Sequence, residues 1–176
     1  MFVTVGTDHH RFDRLVTWID DWAATHRDVT VLLQRGTSKA PAVAPSVTSV
    51  TSMPYPELLA AMAAADAVVA QGGPAGIVDA RSAGHCPIVV ARRPELGEHV
   101  DGHQVTFTRW MASRGQIKLA ETAPEMASLL DLALAGSPEM RVDPDDGELA
   151  ATIDRFAALV DPLMANRAAR RRSRRS

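Results

Sequence analysis

Apolar and polar positions alternate in blocks along the chain, and the blocks predict an ordered series of strands and helices. Phe2 to Val5 (FVTV) is a β-branched apolar run that stops at Gly6. From about Arg11 to Thr25, Leu15, Trp18, Ile19 and Trp22 recur at steps of three and four, which predicts a helix with one apolar face. Val29 to Leu33 reads as a buried strand, Ala40 to Pro45 as a proline-bearing loop, and Val47 to Val50 as an edge strand. A helix over Pro56 to Ala65 leads into the strand Ala67 to Ala70. The turn Gly72-Gly73-Pro74 opens a helix that ends near Gly84, and Pro87 to Ala91 is another unbroken apolar strand. A helix over His99 to Arg114, a short strand at Ile117 to Ala120, and helices over Pro124 to Ala135 and Gly147 to Asn166 complete the series. The segment Gly136 to Asp146 reads as a connector.

Strands of continuous apolar character lie in parallel sheets covered on both faces. The alternation with helices therefore predicts an α/β fold, a doubly wound Rossmann-like sheet of about six strands. The expected organisation is one domain over residues 1–166 and a basic, disordered tail over 167–176. Six of the 19 basic residues fall in the last ten positions, and the remaining 13 stand against 21 acidic residues. The acidic body and basic tail raise three readings for Arg170 to Arg175: contact with an anionic membrane, nonspecific contact with nucleic acid, or a solubilising end. No specific nucleic-acid partner is expected.

No apolar run approaches the roughly 20 residues that cross a bilayer, and the first ten residues lack the basic start of a signal peptide. One cysteine, Cys86, excludes an intrachain disulfide. These features point to a cytoplasmic protein.

In a doubly wound sheet, ligands bind beyond the carboxyl ends of the strands, near the point where strand order reverses. Three strand-to-helix turns carry unusual residues. The first is Gly6-Thr7-Asp8-His9-His10, where the glycine admits close backbone approach and the helix start favours a phosphate; a plain capped turn is the alternative. The second, Gln71-Gly72-Gly73-Pro74-Ala75-Gly76, places three glycines in five positions and suits a diphosphate, or else tight helix–sheet packing. It is neither a dinucleotide fingerprint nor a P-loop. Asp79, six residues after Gly73, is placed to meet a ribose diol or to lie solvated on its helix. The third, Pro94 to Gln104 (PELGEHVDGHQ), gathers carboxylates, imidazoles and an amide. Its spacing fits no zinc motif well and suits sugar hydroxyls better, with helix capping as the alternative.

Together, FVTVGT and FDRLV (Phe2 to Val16), the Gln34/Gly36 pair, and the block from Ala65 to Gln104 resemble the glycosyltransferase family 28 C-terminal domain. The likeness spans roughly residues 1 to 120 and is nearest to small stand-alone versions of that domain. The resemblance implies the C-terminal half of a GT-B fold. It implies that Gly6, Thr7, Gln71, Gly72, Gly73 and Gly76 line the diphosphate of a UDP-sugar. Asp79 would bind the ribose, and Glu98, Asp101, His103 and Gln104 would contact the donor sugar. It implies transfer of a hexose or N-acetylhexosamine to a lipid-linked acceptor, with the donor as substrate, no further cofactor and no bound metal. A membrane-anchored subunit would supply the acceptor half and hold this chain at the membrane's inner face. His9 and His10 are candidates for the catalytic base, unless the partner provides it. The chain departs from relatives at Gln71, where they usually have histidine, and at Ala75 and Gly76, where they have glycine and then threonine or serine. Asp8 replaces a frequent histidine. A non-catalytic, degenerate donor-binding or scaffolding subunit is therefore the alternative. A sugar epimerase of similar fold would need two such domains, more than 176 residues provide.

Overall fold

The computed structural model describes residues 1–144. The expected helix over Gly147 to Asn166 and the basic tail lie outside the described residues. Six parallel strands form one sheet: β1 (Phe2–Thr4), β2 (Val31–Gln34), β3 (Val47–Val50), β4 (Val68–Gln71), β5 (Ile88–Val90) and β6 (Lys118–Leu119). Their spatial order is β3-β2-β1-β4-β5-β6. The chain runs outward from β1 to β3, then returns to place β4 on the other side of β1, with Thr4 in register with both Gln34 and Ala70. Strand order thus reverses between β1 and β4, and this opens a crevice at their carboxyl ends.

Among the described residues five α-helices cover the sheet: α1 (Asp13–Thr25), α2 (Tyr55–Ala63), α3 (Pro74–Ser82), α4 (His103–Ser113) and α5 (Ala123–Leu134). The two-residue period of the strands divides the core. Val3, Val5, Val69, Ile88 and Val90 pack with Leu15, Ile19 and Trp22 of α1 and Met126 and Leu130 of α5. Phe2 and Val68 face Met62 and Ala80 of α2 and α3, and Val89 meets Ile77 and Phe107 of α3 and α4. Burial of each such side chain contributes about 1.5–3 kcal/mol, which explains why the strands read as unbroken apolar runs. Trp22 is buried on the α1 face, as its helical spacing predicts.

Two local devices set helix boundaries. Ser38 Oγ accepts the Phe12 N–H at 2.8 Å ahead of α1. Thr122 and Glu125 form a reciprocal capping box at α5, preceding a Pro124 that needs no partner for its missing N–H. The largest boundary difference from the sequence expectation is at α4, which begins at His103 and not at His99. Residues 98–102 instead form a turn in which an Asp101 carboxylate oxygen accepts the His103 N–H at 3.0 Å. No helix of the described residues is long and apolar enough to cross a membrane.

Candidate functional site

The crevice is bounded by three strand-to-helix connections, and each is built by a different device. The first and simplest joins β1 to α1. Gly6 adopts φ +77°, and its N–H donates to Thr4 Oγ1 at 3.2 Å. The turn after β2 comes close enough that a Cβ on Gly36 (φ +55°) would lie 2.7 Å from the Gly6 carbonyl oxygen. Only glycine fits there. Thr4 Oγ1 in turn donates to the buried Gln34 Oε1, so the Gln34/Gly36 pair supports the Gly6 turn from beneath.

The second connection, β4 to α3, works by omission of side chains. A Cβ on Gly72 would stand 2.8 Å from Thr108 Cγ2 and 3.0 Å from Gln104 Oε1, so α4 packs directly on this backbone. Gly73 is the N-cap of α3 and offers no side-chain cap. Ala75 and Gly76 present first-turn N–H groups that have no carbonyl available within the helix. Partial positive charge accumulates at such an end and favours an anion. A Cβ on Gly76 would meet nothing within 4 Å, so a side chain there would enter open space. Asp79 follows one turn later on the same face. Its carboxylate accepts a 2.8 Å hydrogen bond from the Tyr55 hydroxyl of α2, and that bond raises the phenol pKa.

Gln71 occupies the space between these two turns. Its Nε2 stands 3.1 Å from where a Cβ of Gly6 would be and 2.2 Å from where one of Gly73 would be. Its Oε1 accepts from Gln104 Nε2 at 2.7 Å, while Gln104 Oε1 accepts the Arg92 N–H at 3.2 Å. Gln104 is 4% exposed, so it positions Gln71 from inside the fold.

The third connection, β5 to α4, is braced by buried charge. Arg92 is fully buried. Its guanidinium donates to the carbonyls of Val5 (2.7 Å), His10 (2.8 Å) and Glu98 (3.0 Å), and lies over the Phe12 ring. It thereby ties the end of β1, the first turn and the third turn to one point. Burial lowers the Arg92 pKa, against the nearby carboxylates of Asp8 and Glu98. Glu98 is also buried, and accepts two bonds from Arg14 of α1 (2.9 and 2.8 Å) and one from the Arg93 N–H (2.9 Å). The expectation that Glu98 contacts a donor sugar does not fit this placement. Its oxygens are engaged inside the protein, and it acts as a brace.

Ahead of these braces the first and third turns meet across the end of β4. Asp8 Oδ1 accepts from the His10 N–H and lies 2.7 Å from His10 Nδ1, while Asp8 Oδ2 lies 3.5 Å from His99 Nε2. The His10 N–H bond is the largest cause that lowers the Asp8 pKa to about 2. Asp101 hydrogen-bonds the His103 ring and backbone N–H, which holds its pKa below the usual carboxylate range. His9, His10, His99 and His103 therefore form one patch with Asp8 and Asp101.

Of the residues expected at the site, the structure brings Gly6, Gln71, Gly72, Gly73 and Gln104 together and keeps His9, His10, Asp101 and His103 at its rim. Thr7 is exposed on the first turn. Sequence reasoning missed Arg92, Arg14 and Tyr55. An arginine directly after a strand and a tyrosine directly after Pro54 carry no local sign of burial or pairing. An Asp-x-Asp triplet occurs at Asp143-Pro144-Asp145, but the neighbouring Val142 N–H bonds Gly84 O, ahead of β5 at the opposite edge of the sheet.

This geometry defines a doubly wound α/β domain whose strand order reverses between β1 and β4, the place where such folds hold ligands. Residues 1–132 match the glycosyltransferase family 28 C-terminal domain, and the chain belongs to that family. Comparison with curated proteins finds no match. Similar solved structures are GT-B glycosyltransferases. They include the glycosyltransferase of kitacinnamycin (TM-score 0.53, 18% identity, 78% of this chain and 35% of that one). The calicheamicin glycosyltransferase CalG4 is also similar (0.54, 15%, 78% and 34%). So is MurG of Acinetobacter baumannii (0.51, 17%, 78% and 42%). At these identities the likeness is one of fold. The chain spans about a third to two fifths of the length of these structures.

Proposed function

We propose that the chain is the donor-binding part of a glycosyltransferase, taking the UDP moiety of a UDP-sugar in the β1/β4 crevice. The observation that carries this reading is the start of α3 at the switch point, with glycine at 72, 73 and 76, no side-chain cap, and only Gln71 between it and the Gly6 turn. The diphosphate meets the Ala75 and Gly76 N–H groups, and the ribose diol meets Asp79 one turn further on. Those N–H groups also stabilise the charge that develops on UDP as it leaves. The sugar, a hexose or N-acetylhexosamine, extends toward Asp101 and His103. His9 and His10 stand at the rim as candidates for the group that removes the acceptor proton. The acceptor is lipid-linked, and a membrane-anchored subunit supplies the other wall of the cleft. Membership in a family described as a C-terminal domain supports the assignment to one half of such an enzyme.

Calorimetric titration of the purified chain with UDP, UDP-glucose and UDP-N-acetylglucosamine tests the reading. Binding that Asp79→Ala weakens at least about tenfold, the scale of one lost charge-assisted hydrogen bond, supports it. A folded chain that binds none of the three contradicts it for the isolated protein.

Gln71 favours a second reading, a non-catalytic donor-site subunit. Its carboxamide stands between the two turns where a diphosphate would be cradled. Gln71→His with Gly76→Thr separates the readings. A large gain in nucleotide affinity marks a degenerate site, whereas little change marks a site that works as it stands.

A further inference from the structure

Four of the six histidines in the chain fall in the patch where the first and third turns meet. Separately, the two segments show no metal-site spacing. Folding joins them: the ligand atoms of Asp8, His9 and His10 lie within 4.8 Å of one another, and His99 faces the same carboxylate from the third turn. Ligands about 2.0–2.1 Å from a tetrahedral centre lie roughly 3.4 Å from one another. Asp8 Oδ1 lies 3.6 Å from His9 Nδ1 and 2.7 Å from His10 Nδ1, and its other oxygen, Oδ2, lies 3.5 Å from His99 Nε2. Two of the three distances already match, and the third shortfall is the hydrogen bond that a metal would replace.

The surroundings suit a bound ion. The side chains of Asp8, His10 and His99 are 30%, 21% and 13% exposed, so water is partly excluded. Exposed His9, at 83%, can swing toward or away from the centre. His99 Nδ1, the nitrogen opposite the one that faces Asp8, accepts the Asp101 N–H at 3.5 Å, so the turn holds the ring in place. The Asp101 carboxylate in turn holds the His103 ring and N–H. The backbone beneath is rigid because Arg92 bonds the His10 and Glu98 carbonyls, which flank the ligand turns.

We propose that Asp8, His9 and His10, with His99 as the fourth ligand, bind a divalent transition-metal ion of the zinc class. Three imidazoles and one carboxylate form a donor set for Zn²⁺ or Co²⁺, not for Mg²⁺ or Ca²⁺. The site lies beside the donor crevice but does not depend on it, since metal binding is measured without nucleotide. The ion would pin the β1–α1 turn to the β5–α4 turn.

The test uses the full chain without a histidine tag, stripped with chelator and titrated with Zn²⁺ in a calorimeter and with Co²⁺ in a spectrophotometer. The sequence beyond residue 144 has no histidine or cysteine to compete. The expected result is one ion per chain and intense tetrahedral Co²⁺ bands, with affinity lowered at least about tenfold in His10→Ala and in His99→Ala. His26→Ala removes a histidine at the amino-end edge of the sheet and should leave affinity unchanged. If the buried-side variants fail to fold, exposed His9→Ala should still weaken binding, and the Co²⁺ spectrum of the unaltered chain stands alone. No uptake of either ion overturns the proposal. So does uptake that none of the His9, His10 and His99 variants reduces, or a Co²⁺ spectrum of the weak octahedral type.

Discussion

The two walls of the crevice are made by opposite means. The wall formed by the β1–α1 and β5–α4 turns is crowded with buried charge: Arg92 holds three carbonyls, and Glu98 holds Arg14 and a backbone N–H. The wall formed by the β4–α3 turn is nearly bare, with glycine at 72, 73 and 76 and no side-chain cap. One wall turns its polar groups on itself, while the other leaves backbone N–H groups free to meet a ligand. A rigid frame beside an unsatisfied helix end suits anion recognition, because the frame fixes the distance across which the anion must fit.

The charged wall is most sensitive at Arg92. Arg92→Met should cost about 3–5 kcal/mol, because it strands three inward-facing carbonyls and leaves Glu98 with less compensation. Chemical denaturation followed by circular dichroism measures this. Arg92→Lys should recover little, since one ammonium cannot span three acceptors in a plane.

A buried acid away from the crevice asks whether such bracing is general. Asp20 of α1 accepts the N–H groups of Ala42, Val43 and Ala44 at 2.6, 2.9 and 2.8 Å. Burial alone would raise its pKa, but the three hydrogen bonds outweigh burial and lower it. A carboxyl with a depressed folded pKa contributes stability that is present above its unfolded pKa, about 3.9, and is lost as pH falls through the folded value. Asp20→Asn should cost about 1–3 kcal/mol at neutral pH and should flatten the acid limb of the stability curve, measured by denaturation midpoints from pH 7 to pH 2.

The bare wall gives smaller effects, of opposite sign at neighbouring glycines. Gly72→Val forces a side chain into Thr108 and Gln104 and should cost about 1–3 kcal/mol. Gly76→Ala enters open space within a helix and should stabilise the fold by about 0.4–1 kcal/mol. Thermal melts of both variants measure the difference. If Gly72→Val is as harmless as Gly76→Ala, α4 does not pack on the turn as described.

Much of this arrangement was legible in the sequence because it is local. Unbroken β-branched runs marked the strands, the three- and four-residue steps of Leu15, Ile19 and Trp22 marked α1, and the glycines after β4 marked the bare wall. The charged wall was not legible. Arg14 and Glu98 are 84 positions apart, and no period or motif pairs them. Arg92 follows a strand and resembles any loop arginine until Val5, His10 and Glu98 converge on it. Tyr55 meets Asp79 only because α2 packs on α3. The start of α4 was misplaced because Asp101, the side chain that accepts the first N–H of the helix, lies inside the segment expected to be helical.

The proposed donor site puts the diphosphate of a UDP-sugar against the bare wall. Its most direct test is calorimetric titration of UDP into the unaltered chain and into Gly76→Glu. The substitution is tolerated sterically but brings a carboxylate to the uncapped start of α3. The unaltered chain should bind UDP, and Gly76→Glu, while folded, should lose most of that affinity. Equal affinity in the two proteins would place the nucleotide elsewhere and rule out a diphosphate site at the start of α3.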